Sequence, residues 1–132
     1  MAARDWTGPW QQAPVGKPAL AHDWAQAVSA YGPQDTVRAE VELHLRGHLE
    51  TLHDALLAEP PDREAAAGVG ATLVKLEPAR PEVLEATVAV LGDRLLAELG
   101  LDEPTFARPL HALLGALAAG YARALLDTVP RR

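Results

Sequence analysis

Apolar residues along this chain recur at steps of three and four, and prolines and glycines cut that periodicity into five segments. Leu20, Trp24, Ala27, Val28 and Tyr31 share one helical face before Gly32-Pro33 interrupts the run. Val37, Val41, Leu45, Leu49, Leu52 and Leu56 then form a stripe of about six turns, with Asp35 placed to cap it and Pro60-Pro61 closing it. Arg63 to Glu77 carries Ala66, Val69, Leu73 and Leu76 on one side, with Asp62 as its N-cap and Pro78 as its stop. Pro81 suits the first position of a fourth helix, where its missing N–H costs nothing, and Leu84, Val88, Leu91, Leu95 and Leu99 follow before Gly100 terminates it. A fifth element runs from about Glu103 to Thr128, with Leu110, Leu113, Leu114, Leu117, Tyr121 and Leu125 on one side. Pro109 predicts either a break after Thr105-Phe106 or a kink. No segment alternates with a period of two, so the expected fold class is all-α, an antiparallel bundle of about five helices joined by short connections.

Ahead of the bundle, residues 1–19 hold Pro9, Pro14 and Pro18 with Gly8 and Gly16, too closely spaced for a regular element. This is an irregular arm before a helical domain of residues 20–132. Trp6 and Trp10 within it imply either docking on an apolar surface, of this domain or of a partner, or a tail whose two indoles are incidental. Glycines inside the helical segments raise a second packing question. Gly68 and Gly70 either admit another helix or simply weaken their turn. Small residues between Leu114 and Gly120 flank the last stripe, so Gly115, Ala116, Gly120 and Tyr121 are candidate contacts for an approaching helix, which includes a second copy of the chain in a homodimer.

Length and charge narrow the classes. A chain of 132 residues is enough for one domain, and 48% hydrophobic with 23% charged residues is a globular rather than a disordered composition. Eighteen acidic against twelve basic residues give a formal charge of −6, the wrong sign for neutralising phosphates over a broad face, so no nucleic acid is expected as partner. Without cysteine there is no disulfide and no thiolate chemistry, which fits a reducing compartment. Neither an export signal nor an apolar run of roughly 18 residues is present, so the expectation is a cytoplasmic protein with no membrane partner.

Candidate chemistry centres on histidine. Glu40, His44 and His48 fall at i, i+4 and i+8 on one helical stripe, where an i, i+4 His pair can hold a zinc ion if a third ligand such as His111 arrives from another helix. There is no H-E-x-x-H pattern and no cysteine beside it, so solvated histidines are the favoured reading and neither metal nor cofactor is expected. His48 lies at the edge of the apolar stripe, where it must hydrogen-bond inside the core or meet a ligand, a tetrapyrrole being one. His48 and His111, with Leu52 and Tyr121, are therefore the candidate ligand contacts. Ser29 is the only serine and has no nucleophile-elbow context, and Gly68-Val69-Gly70 lacks the strand and lysine of a phosphate loop. No catalytic residue is assigned and the chain is not expected to be an enzyme.

Val69 to Gly100, followed by Leu110 to Asp127, resembles the N-terminal helical region that actinobacterial cyclic-di-GMP signalling proteins place before PAS, GGDEF and EAL domains. The likeness lies in Val69-Gly70-Ala71 with Leu73-Val74, in Arg80-Pro81-Glu82-Val83-Leu84, in Leu91-Gly92, and most specifically in the run from Gly115 to Ala124, GALAAGYARA. Tyr31, Glu42, Leu45 and the Leu52 to Pro60 stretch look similar as well. The resemblance implies a non-catalytic sensory or protein-interaction domain whose last helix leads toward an attached or partner signalling output domain. The alternative is a helical protein that binds a hydrophobic small molecule or tetrapyrrole. With no cyclase or phosphodiesterase sequence before Arg132, the chain reads as an excised input domain or a stand-alone relative.

Overall fold

A computed structural model describes residues 16–29, 35–76 and 81–128, and the side chains of these except 29, 35–39 and 76. Among the described residues there are five helices and no strand: α1 (Lys17–Ser29), α2 (Asp35–Leu57), α3 (Arg63–Leu76), α4 (Pro81–Leu99) and α5 (Glu103–Asp127). The all-α bundle expected from the spacing is the observed fold class. Trp6, Trp10, Tyr31 and the side chains of Ser29, Asp35, Val37 and Leu76 lie outside the described residues.

The helix ends have local causes. The Asp62 carboxylate accepts the Ala65 N–H at 3.1 Å, and Asp102 Oδ2 accepts the Thr105 N–H at 3.1 Å and its hydroxyl at 2.6 Å. At the end of α4, Gly100 takes φ +71°, which lets Leu101 N–H donate to the Leu96 carbonyl at 2.8 Å while Gly100 N–H donates to Ala97 at 3.1 Å. α1 begins at Lys17 rather than at Leu20. Gly16, at φ +77°, turns the chain, its carbonyl accepts the Leu20 N–H at 3.0 Å, and Pro18 sits in the first turn where a donor would have had no helical partner. α5 is continuous through Pro109, so of the two alternatives there the break after Thr105-Phe106 does not occur. Its start is fixed by the Asp102 cap and by Pro104.

Burial follows the predicted stripes closely on α2, where Val41, Leu45, Leu49, Leu52 and Leu56 are all core residues. Each fully buried side chain of this size contributes roughly 1.5–3 kcal/mol of transfer free energy, against about 1 kcal/mol for a cap, so the stripes decide the fold and the caps trim it. α4 departs from expectation. Its buried face is Val83, Thr87, Leu91, Leu95 and Leu96, while Leu84, Val88 and Leu99 are only half-buried. The rotation arises because α4 packs on α1 as well as α5, and Trp24 of α1 chooses Thr87.

Contacts fix the directions. Lys17 meets Glu50 and His22 meets Glu42, Gly16 meets Glu98 and Trp24 meets Thr87, and Gly70 lies on Leu117 while Ala67 lies on Gly120, so α1/α2, α1/α4 and α3/α5 run antiparallel, as do α4/α5, where the short turn at Gly100 brings Gly92 opposite Leu114. α3 with α5 is the most extensive pair, whereas α3 and α4, adjacent in sequence, make no extensive contact among the described residues. By length and composition α5 is long and apolar enough to cross a membrane, yet Leu110, Leu113, Leu114, Leu117 and Tyr121 on it are buried in the core.

Candidate functional site

The polar chemistry of the described residues gathers where α1 begins. Gly16 N–H donates to Glu98 Oε1 at 2.8 Å, and Arg94 donates through Nη2 to Glu98 Oε2 at 2.7 Å and through Nη1 to Asp23. Lys17 Nζ donates to Glu50 Oε1 at 2.8 Å. One turn of α1 is thereby tied to both α4 and α2. The Arg94 guanidinium, with the Gly16 amide second, holds the Glu98 carboxyl below the usual carboxylate range, and Arg94 is itself raised by Glu98 and then Asp23. Glu50 is lowered first by its bond to Lys17. Beside this cluster opens a groove of about 340 Å³ lined by Lys17, Arg46, Glu50, His53 and Glu98. Deeper in, Trp24 Nε1–H donates to Thr87 Oγ1 at 2.9 Å with both side chains fully buried.

The histidine stripe has a different character. Among the described residues no three His, Asp or Glu converge closely enough to hold a metal ion, so Glu40, His44 and His48 do not form a centre on their own. His48 is half-buried, and its Nε2 is shielded from solvent with no hydrogen-bond partner among the described residues. Burial, and secondarily His44, lowers its pKa from the ordinary histidine value.

The four candidate ligand contacts do not meet around one cavity. Leu52 and Tyr121 are core residues at 1% exposure, and neither they nor His48 line the grooves at the α1 start, the α4–α5 hairpin or the α3–α5 seam. His111 is exposed and stands on the rim of the second, a groove of about 220 Å³.

The candidate interface residues separate too. A Cβ on Gly120 would sit 2.1 Å from the Ala67 carbonyl oxygen, and one on Gly70 would sit 2.0 Å from that of Leu117. Both glycines therefore serve backbone contact between α3 and α5 of the same chain, and Gly120 and Tyr121 are buried in that seam. Gly115 is exposed, whereas Ala116 is half-buried and packs against the core, so of the candidate set only Gly115 faces outward. Gly68, with open space around it, takes no part in the close approach.

Sequence reasoning found Asp62 and Gly100 but missed the ties around Gly16. The i, i+4 spacing of Arg94 and Glu98 was a usable signal for half of that network, while the reach to Gly16 and Asp23 depends on how α1 lies on α4. Compared with family models, with curated proteins and with solved structures, the chain finds no match.

Proposed function

We propose that this chain is a non-catalytic sensory or protein-interaction domain, of the kind that precedes the output domains of actinobacterial cyclic-di-GMP signalling proteins. The observation that carries the reading is a second apolar face on α5. Besides the stripe it buries in the core, α5 exposes Gly115, Ala119, Ala122 and Leu126, which recur at steps of four, three and four and so lie along one side of the helix. Leu126 is 70% exposed, one of only three large hydrophobic side chains left open among the described residues. A 25-residue helix spans about 37 Å at 1.5 Å per residue, and the Gly70 and Gly120 contacts lock it to α3. Such a rod moves as a unit, so a partner held on its outer face, a second copy or an output module, senses any shift of the pair.

Ala122→Arg tests this without touching the core. The unaltered chain is expected to sediment above its monomer mass, or to alter the rate of a diguanylate cyclase domain fused after Arg132, and the variant to lose that effect. A monomeric chain whose fused cyclase ignores both the substitution and one- to four-residue insertions at the junction removes the proposal.

The orphaned Nε2 of His48 favours a second reading, contact with a hydrophobic ligand or tetrapyrrole. Haemin titration decides it. A shifted Soret band that disappears in His48→Ala supports this reading, and an unshifted band rejects it.

A further inference from the structure

Two of the three large hydrophobic side chains left exposed among the described residues, Leu43 at 67% and Leu57 at 51%, lie on α2. They close the two ends of one stripe. Leu43, Arg46, Glu50, His53 and Leu57 follow at steps of three, four, three and four, so they share one side of the helix over about 21 Å at 1.5 Å per residue. The residues between the leucines, Arg46, Glu50 and His53, line the groove of about 340 Å³ beside the start of α1, whose other walls include Pro18 and Leu99.

This side of α2 is distinct from the one that builds the core, Val41, Leu45, Leu49, Leu52 and Leu56. An outer helical face is ordinarily polar, so leucine at both of its ends calls for cover. Arg46 adds an independent observation. Lys17, the other strong base of the groove, donates to Glu50, whereas Arg46 forms no hydrogen bond or ion pair among the described residues. A guanidinium with both faces free suits an aromatic ring, which it attracts by cation–π contact and stacking.

The chain enters the described fold at the edge of the same groove. Gly16 N–H is held by Glu98 Oε1 at 2.8 Å, and Glu98 is part of the groove wall. Residues 1–15 lie outside the described residues, and their point of attachment is therefore this edge. Trp10 stands six positions before Gly16 and Trp6 ten. Six residues reach at most about 20–22 Å and ten about 33–36 Å. Leu43 and Leu57 each lie seven residues from Glu50, about 10 Å along the axis, and Glu50 is joined to Lys17. The whole stripe is within reach of both indoles.

Size and chemistry agree with such an occupant. The groove falls at the lower end of the roughly 300–1,000 Å³ of pockets that take an organic ring. An indole brings a large apolar body and one N–H donor, matched by Pro18 and Leu99 and by the carboxylates of Glu50 and Glu98. A group tethered by a short flexible segment has an effective concentration in the mM range, so it fills the groove ahead of a separate partner of equal intrinsic affinity.

From these observations we infer that the outer stripe of α2 is the docking site of this chain's own residues 1–15, with the Trp10 indole seated in the groove on Arg46 and the Trp6 indole on an exposed leucine at one end of the stripe. The arm then ties α1 to α2 from outside, over the same rim that Lys17 and Glu50 join. The assignment stands apart from the role proposed for the outer face of α5.

NMR of the full chain tests it. Nuclear Overhauser contacts are expected from the Trp10 indole to Arg46 and from the Trp6 indole to Leu43 or Leu57, unchanged on dilution, and Trp10→Ser should move the amide signals of residues 46–53. Arg46→Ala, and Leu43→Ser combined with Leu57→Ser, alter only exposed side chains and should each raise acrylamide quenching of the arm's indoles about twofold, while the fully buried Trp24 adds little to the signal. Contacts seen only between labelled and unlabelled chains of a mixed sample would give the stripe to a second copy, and indoles that touch no residue of α2 would leave it to a separate partner. Either result overturns the inference, as does quenching indifferent to both sets of substitutions.

Discussion

The α3–α5 seam and the seat of α1 join helices in opposite ways. Along the seam, Gly70 and Gly120 bring backbones into contact, and the geometry leaves no room for a methyl group. At the seat of α1, a large indole is anchored by one buried hydrogen bond and the rim is tied by charged side chains that stay partly in water. The seam resists any change in shape, whereas the seat tolerates rearrangement at its rim and fails only if the indole loses its partner. Rigidity in one place and adjustable polar ties in the other follow from residue size and polarity alone.

The sharpest way to break this contrast is at the seam. Alanine normally stabilises a helix interior over glycine by about 0.5–1 kcal/mol, and Gly115→Ala, with open space around it, is expected to show that gain. Gly120→Ala should do the reverse and lose about 2–4 kcal/mol, because its Cβ would meet the oxygen, carbonyl carbon and Cα of Ala67, all backbone atoms that no rotamer change can move. Urea denaturation of the two variants side by side reads both signs. Equal stabilisation would mean that the helices can part cheaply. A larger residue at 120 would report on folding before it reported on association between copies.

At the seat of α1 the expected effect is smaller. Thr87→Val preserves shape but leaves the Trp24 N–H buried without an acceptor, a loss of about 1–3 kcal/mol. Adding Trp24→Phe removes the stranded donor, so the double variant should be more stable than the sum of the two single losses predicts. Additive losses would show that the hydrogen bond contributes nothing.

These two sites also show where a sequence stops being legible. The stripe on α2 could be read because its buried residues face one direction over many turns. Gly115 and Gly120, by contrast, are the same residue type five positions apart, about 140° around the helix, and nothing local states which one faces α3. Thr87 is a polar residue among aliphatic ones, and the apolar rule passed over it for Leu84 and Val88. Its burial is decided by an indole 63 positions away. His111 could be picked out as a candidate contact, but its groove is built by α4 residues brought alongside it by the hairpin. His48 was expected at the margin of the stripe and is half-buried there, but that its Nε2 finds no partner among the described residues depends on the packed neighbours.

The charged rim around Gly16 is expected to yield less than the seam or the indole when cut at neutral pH. Glu98→Gln removes the ion pair with Arg94 but leaves an amide oxygen able to accept the Gly16 N–H, so the loss should be about 1 kcal/mol or less and should shrink with added salt. Because Glu98 has a lowered pKa in the folded chain, its contribution is present above the ordinary carboxylate value of 4.5 and lost as pH falls through the lowered one. Faster amide exchange confined to residues 16–20 would place the effect at the start of α1. Exchange unchanged there would show that the rim does not hold the helix.

His48 separates from all of these by being nearly silent at neutral pH. Its folded pKa lies below the ordinary value of 6.5, so at pH 7 the ring is neutral in both folded and unfolded chains and titration adds little to stability. As pH drops below 6.5 the unfolded chain takes up a proton that the folded chain resists, and stability should decline until the pH passes the lowered folded value. The largest cause is burial of the ring, with His44 second, so His44→Gln should reduce the slope slightly and His48→Gln should remove this part of it. Denaturation midpoints taken between pH 7 and pH 5 check the order of the two variants. A steeper loss in His48→Gln than in the unaltered chain would mean that the buried ring is protonated in the folded state, with a partner for its Nε2 after all.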